Sequence, residues 1–375
     1  MVLRDRGPSP TKRPRPGVGR SVLLGAVLTT LVFATLEVAV RAWVYFFRDQ
    51  AERFDTATGT FILLPGRYAG AGGRSFYVNT RGFVGAEFQD PVSPGTIRIV
   101  TLGDSCTFGG GTDWGTYGGQ LEVRLRSIDN THRYQVINAG IRGLNTELAL
   151  RRLVTKVLPL TPDIVTVYLG WNDLMKLDPR GQVEKPGIAI VARLLDRLWL
   201  IKGMRKLLFY YLRPLVSAPA TGPASRTGRF RDYRPAVFED NLRRIIHAAR
   251  DQGTRVVVMT LPSVVSDDMG LDDLHRLNVI FPYYQSAYSV GDFVDLIAAY
   301  NRSIRATVTS ENVMLVDLAT EIADRAGQRN LFFDTMHPNQ AGRVVIAEIL
   351  ARHISVVVPA QLHSTERHGV APAIR

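Results

Sequence analysis

Short runs of apolar, largely β-branched residues recur along this chain, each followed by a stretch with helical periodicity. The runs are residues 97–102, 134–138, 164–168, 255–260 and 313–316. Helical patterns over 118–128, 147–157, 238–251, 292–308 and 339–354 separate and follow them. A strand that is apolar on both sides has to be covered on both faces. The alternation therefore predicts an α/β fold: a five-stranded parallel sheet between two helical layers, a three-layer α/β/α sandwich joined by right-handed crossovers. Ligands of such sheets bind beyond the carboxyl ends of the strands, so chemistry is expected just after each run.

Ahead of this body, residues 22–47 form an apolar stretch broken only by Glu37 and Arg41. About 20 apolar residues span a bilayer, and Trp43, Tyr45, Phe46 and Phe47 gather where the headgroup interface would lie. Arg4, Arg6, Lys12, Arg13, Arg15 and Arg20 precede it, which by the positive-inside bias keeps the amino terminus cytoplasmic. Glu37 and Arg41 are spaced to pair. A cleaved signal peptide is the competing reading; Val40-Arg41-Ala42 is a poor cleavage site, and the aromatic flank favours an anchor. Both readings place the rest of the chain outside the cytoplasm. The expected organisation is a basic tail (1–20), a transmembrane anchor (21–47), a lead-in (48–96), a main domain (97–356) with an insert (178–234), and a terminal tail (357–375).

The formal net charge of +12 is unevenly spread. Residues 1–20 hold six Lys/Arg against one acid (+5), residues 178–234 twelve against four (+8), and the remainder sums to −1. A near-neutral body with two basic segments argues for a membrane neighbour and against a nucleic-acid partner. The segment 188–212 is apolar and basic, with Trp199, Phe209, Tyr210 and Tyr211 among cations. It is expected to pack on the core, or to act as a lid or membrane-surface element. The single cysteine, Cys106, rules out an intramolecular disulfide, and no Cys/His spacing suits zinc.

Four short motifs stand directly after runs or before the last helix. Gly103-Asp104-Ser105 would place a hydroxyl at the sheet's mouth, although the same tripeptide occurs in ordinary turns. Asn138-Ala139-Gly140-Ile141-Arg142-Gly143-Leu144-Asn145 offers glycine N–H groups free of side-chain obstruction, or simply a strand–helix turn. In Gly170-Trp171-Asn172-Asp173, the Asn172 amide suits an oxyanion and Asp173 suits a helix cap. In Asp334-Thr335-Met336-His337-Pro338-Asn339, a carboxylate three residues before an imidazole can fix its tautomer, and Pro338 and Asn339 suit a helix start.

Together and in this order, the four motifs resemble the SGNH/GDSL hydrolase superfamily over roughly residues 97–354. The resemblance implies a flavodoxin-like SGNH fold. It implies Ser105 as nucleophile, His337 as base and Asp334 as its orienting partner. The oxyanion hole would comprise Ser105 N–H, Gly143 N–H and the Asn172 amide, with no metal or cofactor. Cys106 departs from the apolar residue usual after the family's serine. The segment 78–83 also resembles one seen in anchored bacterial members. The expected function is an extracytoplasmic, membrane-anchored esterase acting on an acyl ester, an O-acetyl group foremost, of an envelope glycan or lipid. Two alternatives stay open: a polysaccharide O-acyltransferase using the same triad, and a non-catalytic glycan-binding protein on this fold. Oligomeric state cannot be read from the sequence.

Overall fold

The computed structural model describes residues 18–47, 51–70, 75–109, 115–177, 198, 200–201, 204, 226–280, 289–325 and 327–357. The tail before residue 18, most of the 178–234 insert with most of the expected lid segment 188–212, and the tail after 357 lie outside the described residues, as do the side chains of the aromatic cluster at 43–47. The chain divides into two compact units, residues 1–48 with 186–211 and residues 49–185 with 212–375.

In the first unit, helix α1 (Val18–Phe47) carries the apolar stretch. Its segment Ser21–Ala42 is long and apolar enough to cross a bilayer, a property that signal sequences share. Leu23, Leu28, Leu31 and Val38 are exposed along it. Glu37 and Arg41 pair at 2.8 Å, and the other Glu37 oxygen accepts from Leu200 N–H at 2.8 Å.

The second unit is built around strands with no polar face. Strand β5 (Thr96–Gly103) is buried from Ile97 onward, and β7 (Ile164–Tyr168) is buried throughout. With β6 (Arg133–Asn138), β8 (Arg255–Met259) and β9 (Met314–Val316) they form a parallel sheet in the order β6-β5-β7-β8-β9. Val100 lies in register with Ile137 on one side and Val165 on the other. Helices α3 (Tyr117–Ile128) and α10 (Gln340–Val357) pack together on one face. On the other face α6 (Ala236–Arg250) packs between α4 (Thr146–Arg152) and α8 (Val290–Glu311). The five strands and two helical layers follow the α/β/α expectation. Strand order reverses direction at β5, which opens a crevice at the carboxyl ends of the neighbouring strands.

The lead-in contributes two hairpins: β1 (Glu52–Asp55) pairs with β2 (Thr60–Leu63), and β3 (Gly66–Ala69) with β4 (Ser75–Val78). Val84 then bridges to Asn138, its N–H donating to Asn138 O at 3.3 Å, and so covers the open edge of β6.

Candidate active site

The end of β5 turns sharply at Gly103. A Cβ there would lie 1.9 Å from Thr107 Oγ1 and 2.7 Å from Tyr168 O, so only glycine fits between the turn and the next strand. Asp104 follows as the cap of the short helix α2 (Ser105–Phe108), its carboxylate accepting from Cys106 N–H at 2.9 Å. Ser105 is thereby held at the mouth of the sheet, half-buried. Cys106 points inward, fully buried, its thiol donating to Met336 O at 3.5 Å. Burial, then the neighbouring Asp104 and Asp334 charges, push this thiol well above its ordinary range, so it stays neutral packing beneath Ser105.

Ser105 Oγ lies 2.8 Å from His337 Nε2. The ring's other nitrogen lies 2.8 and 3.0 Å from the two Asp334 oxygens. Asp334 also accepts the backbone N–H groups of Met336 and His337, at 3.0 and 2.9 Å. Burial alone would raise this carboxyl, but the His337 hydrogen bond and charge and the two N–H donors outweigh it and hold the pKa below the ordinary range. Burial would likewise lower His337, but the Asp334 hydrogen bond and charge, helped by Asp104, raise it. The loop carrying Asp334 and His337 is fastened from behind by Thr335. Its hydroxyl accepts from Ile280 N–H at 2.7 Å and its carbonyl from the Ser263 hydroxyl at 3.1 Å. Asn339 caps α10 through Gly342 N–H at 3.1 Å, the helix-start role expected of it.

The loop after β6 is shaped by Asn138, whose amide donates to Thr107 O and whose oxygen accepts Gly140 N–H, both at 2.9 Å. It leads to Gly143 at φ +75°, a left-handed conformation suited to glycine, with open space where a Cβ would point. The N–H groups of Ser105 and Gly143 have no acceptor among the described residues. Asn172 stands in α5 (Trp171–Met175) after β7. Its amide donates to Asp104 Oδ2 and to Leu144 O, both at 3.2 Å, so both hydrogens already have protein acceptors. Asp173 caps a helix, but a neighbouring one. Its carboxylate accepts from Thr146 N–H at 3.1 and 3.2 Å and from the Thr146 hydroxyl at 2.6 Å, at the start of α4.

Ser105, His337, Asp334, Asn172 and the Gly143 loop are thus brought together from three strand ends and the approach to α10. Sequence reasoning overlooked Asp104. It is fully buried, burial raises its pKa to about 6 against the bonds from Cys106 and Asn172 and the charge of His337, and it joins the serine turn to Asn172. Its place inside the first motif was the available signal.

Residues 101–344 match the sequence profile of the GDSL-like Lipase/Acylhydrolase family. No curated protein matches the chain. Among solved structures, a lipase/acylhydrolase from Enterococcus faecalis is similar, at 19% identity over 70% of this chain and 96% of that one, with a TM-score of 0.42. So is an acetyl xylan esterase, at 19% identity over 70% and 100% and a TM-score of 0.42. A GDSL-like lipase from Bacteroides thetaiotaomicron matches at 15% identity over 73% and 93%, with a TM-score of 0.41.

Proposed function

The chain belongs to the GDSL-like lipase/acylhydrolase family, which makes it a hydrolase acting on ester bonds, and we propose that Ser105 is its nucleophile, activated by His337 and Asp334. The observation that carries this reading is the continuous chain of 2.8 Å contacts from Ser105 Oγ through the imidazole to Asp334. In this mechanism His337 Nε2 takes the Ser105 proton as Oγ attacks the ester carbonyl. Asp334 holds the proton on Nδ1 and stabilises the imidazolium. The tetrahedral oxyanion is met by the Ser105 and Gly143 N–H groups, whose lack of internal acceptors supports the assignment. Asn172 joins them once one amide hydrogen leaves Leu144 O or Asp104, bonds long enough at 3.2 Å to exchange. His337 then protonates the departing alcohol; water, giving its proton to His337 Nε2, attacks the acyl-enzyme carbonyl, and His337 returns that proton to Ser105 Oγ as the acid leaves.

The substrate in this reading is an acyl ester, an O-acetyl group foremost, on an envelope glycan or lipid. The apolar helix α1 supports placement at a membrane, and the half-buried Ser105 and His337 support attack on an ester carried by a larger molecule. The test offers an acetylated glycan in water and measures free acetate against acetyl groups moved to a second glycan, for wild type and Ser105→Ala. The expected result is acetate as the main product, with the rate reduced at least about a thousandfold in Ser105→Ala. Transfer to glycan as the main outcome would contradict hydrolysis, and full activity in Ser105→Ala would contradict the nucleophile.

A further inference from the structure

The hairpins ahead of β5 lie outside residues 101–344, the part of the chain that the family shares. They nevertheless meet the loop bearing Gly143 at both of its ends. Glu52 Oε1, on β1, accepts from Arg142 N–H at 3.3 Å and from Arg142 Nε at 2.7 Å. One carboxylate oxygen therefore fixes both the backbone and the side chain of the residue just before Gly143. The Arg142 guanidinium lies over the rings of Phe108, at 4.9 Å, and Phe76, at 5.9 Å, the first from the helix of Ser105 and the second from β4. At the far end, the fully buried Arg152 donates through Nε to Ala139 O at 2.8 Å and through a terminal nitrogen to Phe61 O at 3.3 Å, with its guanidinium over Phe83. Thr60 donates to Leu148 O at 3.1 Å.

These contacts differ in what they can do. Arg152 and Thr60 are buried and hold the fold. Glu52 is half-buried, and its two bonds converge on Arg142, the residue whose carbonyl belongs to the peptide carrying the Gly143 N–H. A left-handed glycine with open space around it has no side chain to hold its peptide plane, so that plane is set by its neighbours. We propose that Glu52 is a positioning residue for the oxyanion hole: through Arg142 it fixes the direction of the Gly143 N–H, so the lead-in completes the active site. The proposal rests on Gly143 acting as an oxyanion donor.

A donor aimed at the oxyanion is used in the transition state, so its loss lowers kcat and spares KM. The experiment compares full-length wild type with Glu52→Ala, Glu52→Gln, Arg142→Ala and the Glu52→Ala/Arg142→Ala double variant. It measures kcat and KM on an activated acetyl ester and the unfolding temperature of each. Glu52→Ala is expected to lower kcat about tenfold with KM within about twofold, and the double variant to be no worse than the poorer single, because both act through one link. Glu52→Gln, which keeps an acceptor oxygen and reports even if the Ala variant folds poorly, is expected to recover part of kcat. An unchanged kcat per folded molecule, or losses that multiply in the double variant, would overturn the proposal. Ser105→Ala assayed in parallel separates the two questions: if it stays active the catalytic reading fails, whereas if it alone is inactive only the role of Glu52 fails.

Discussion

Asp104 lies directly before Ser105 and places negative charge near His337. Its carboxylate helps raise the pKa of His337, behind the larger effect of Asp334. In the proposed mechanism His337 accepts a proton and so must start neutral. Raising its pKa moves the acid limb of kcat/KM above the ordinary histidine midpoint, with activity gained as pH rises through it. Asp104 itself titrates near pH 6, so its charge is present across the upper part of that limb and lost below it. Replacing Asp104 by Asn removes the charge while keeping an acceptor for Cys106 N–H. The imidazolium is then less stabilised, and the acid limb is expected to shift to lower pH in a kcat/KM profile. A limb that stayed in place or moved upward would contradict this electrostatic role. At this scale the sequence was readable where a motif fixed a residue's geometry, as with Asp334 and His337 three apart. It was less readable where the partner was remote. Asn172 suits an oxyanion by residue type, but its existing bonds to Asp104 and Leu144 depend on loops from three strands meeting.

Among the elements, the buried strands were read most closely, because unbroken apolar runs have few alternatives. The expected 164–168 run coincides with β7, and the 97–102 run lies within β5. Helix ends were less exact. The helix expected over 147–157 is α-helical only as Thr146–Arg152 and widens into a π-turn over Leu153–Val157, ahead of Pro159, which lacks an amide hydrogen to continue the pattern. Asp173 shows a further limit: its type suggested a cap, but local sequence could not say that the capped helix would be α4. Of the lead-in, only residues 76–83 carry a local strand-and-turn pattern. The four-residue strands β1, β2 and β3 are too short for a periodic signal; all three are stabilised by pairing, and β1 and β2 also by contacts with residues about 90 positions away. Glu52 was hidden for the same reason.

For the whole molecule, the uneven charge and the apolar helix bear on where the enzyme works. We propose that α1 is a retained anchor with the amino terminus cytoplasmic, on the strength of the preceding arginines and lysine and the absence of a good cleavage site. Sequencing the amino terminus of protein recovered from membranes washed at alkaline pH is expected to find the basic segment intact. A mature chain beginning near residue 43, or release into the wash, would point to a signal peptide instead. The hydrolytic fold does not depend on that outcome, since its core and candidate site lie in the unit that holds residues 49–185 and 212–375.

The central claim is that one hydroxyl, activated by one imidazole, carries the acyl group. It is tested most directly by treating the folded protein with a fluorophosphonate and mapping the modified peptide by mass spectrometry. A single adduct on Ser105 is expected, formed far more slowly in His337→Ala. A folded protein that takes up no label, or carries it on another residue, would rule out Ser105 as the nucleophile.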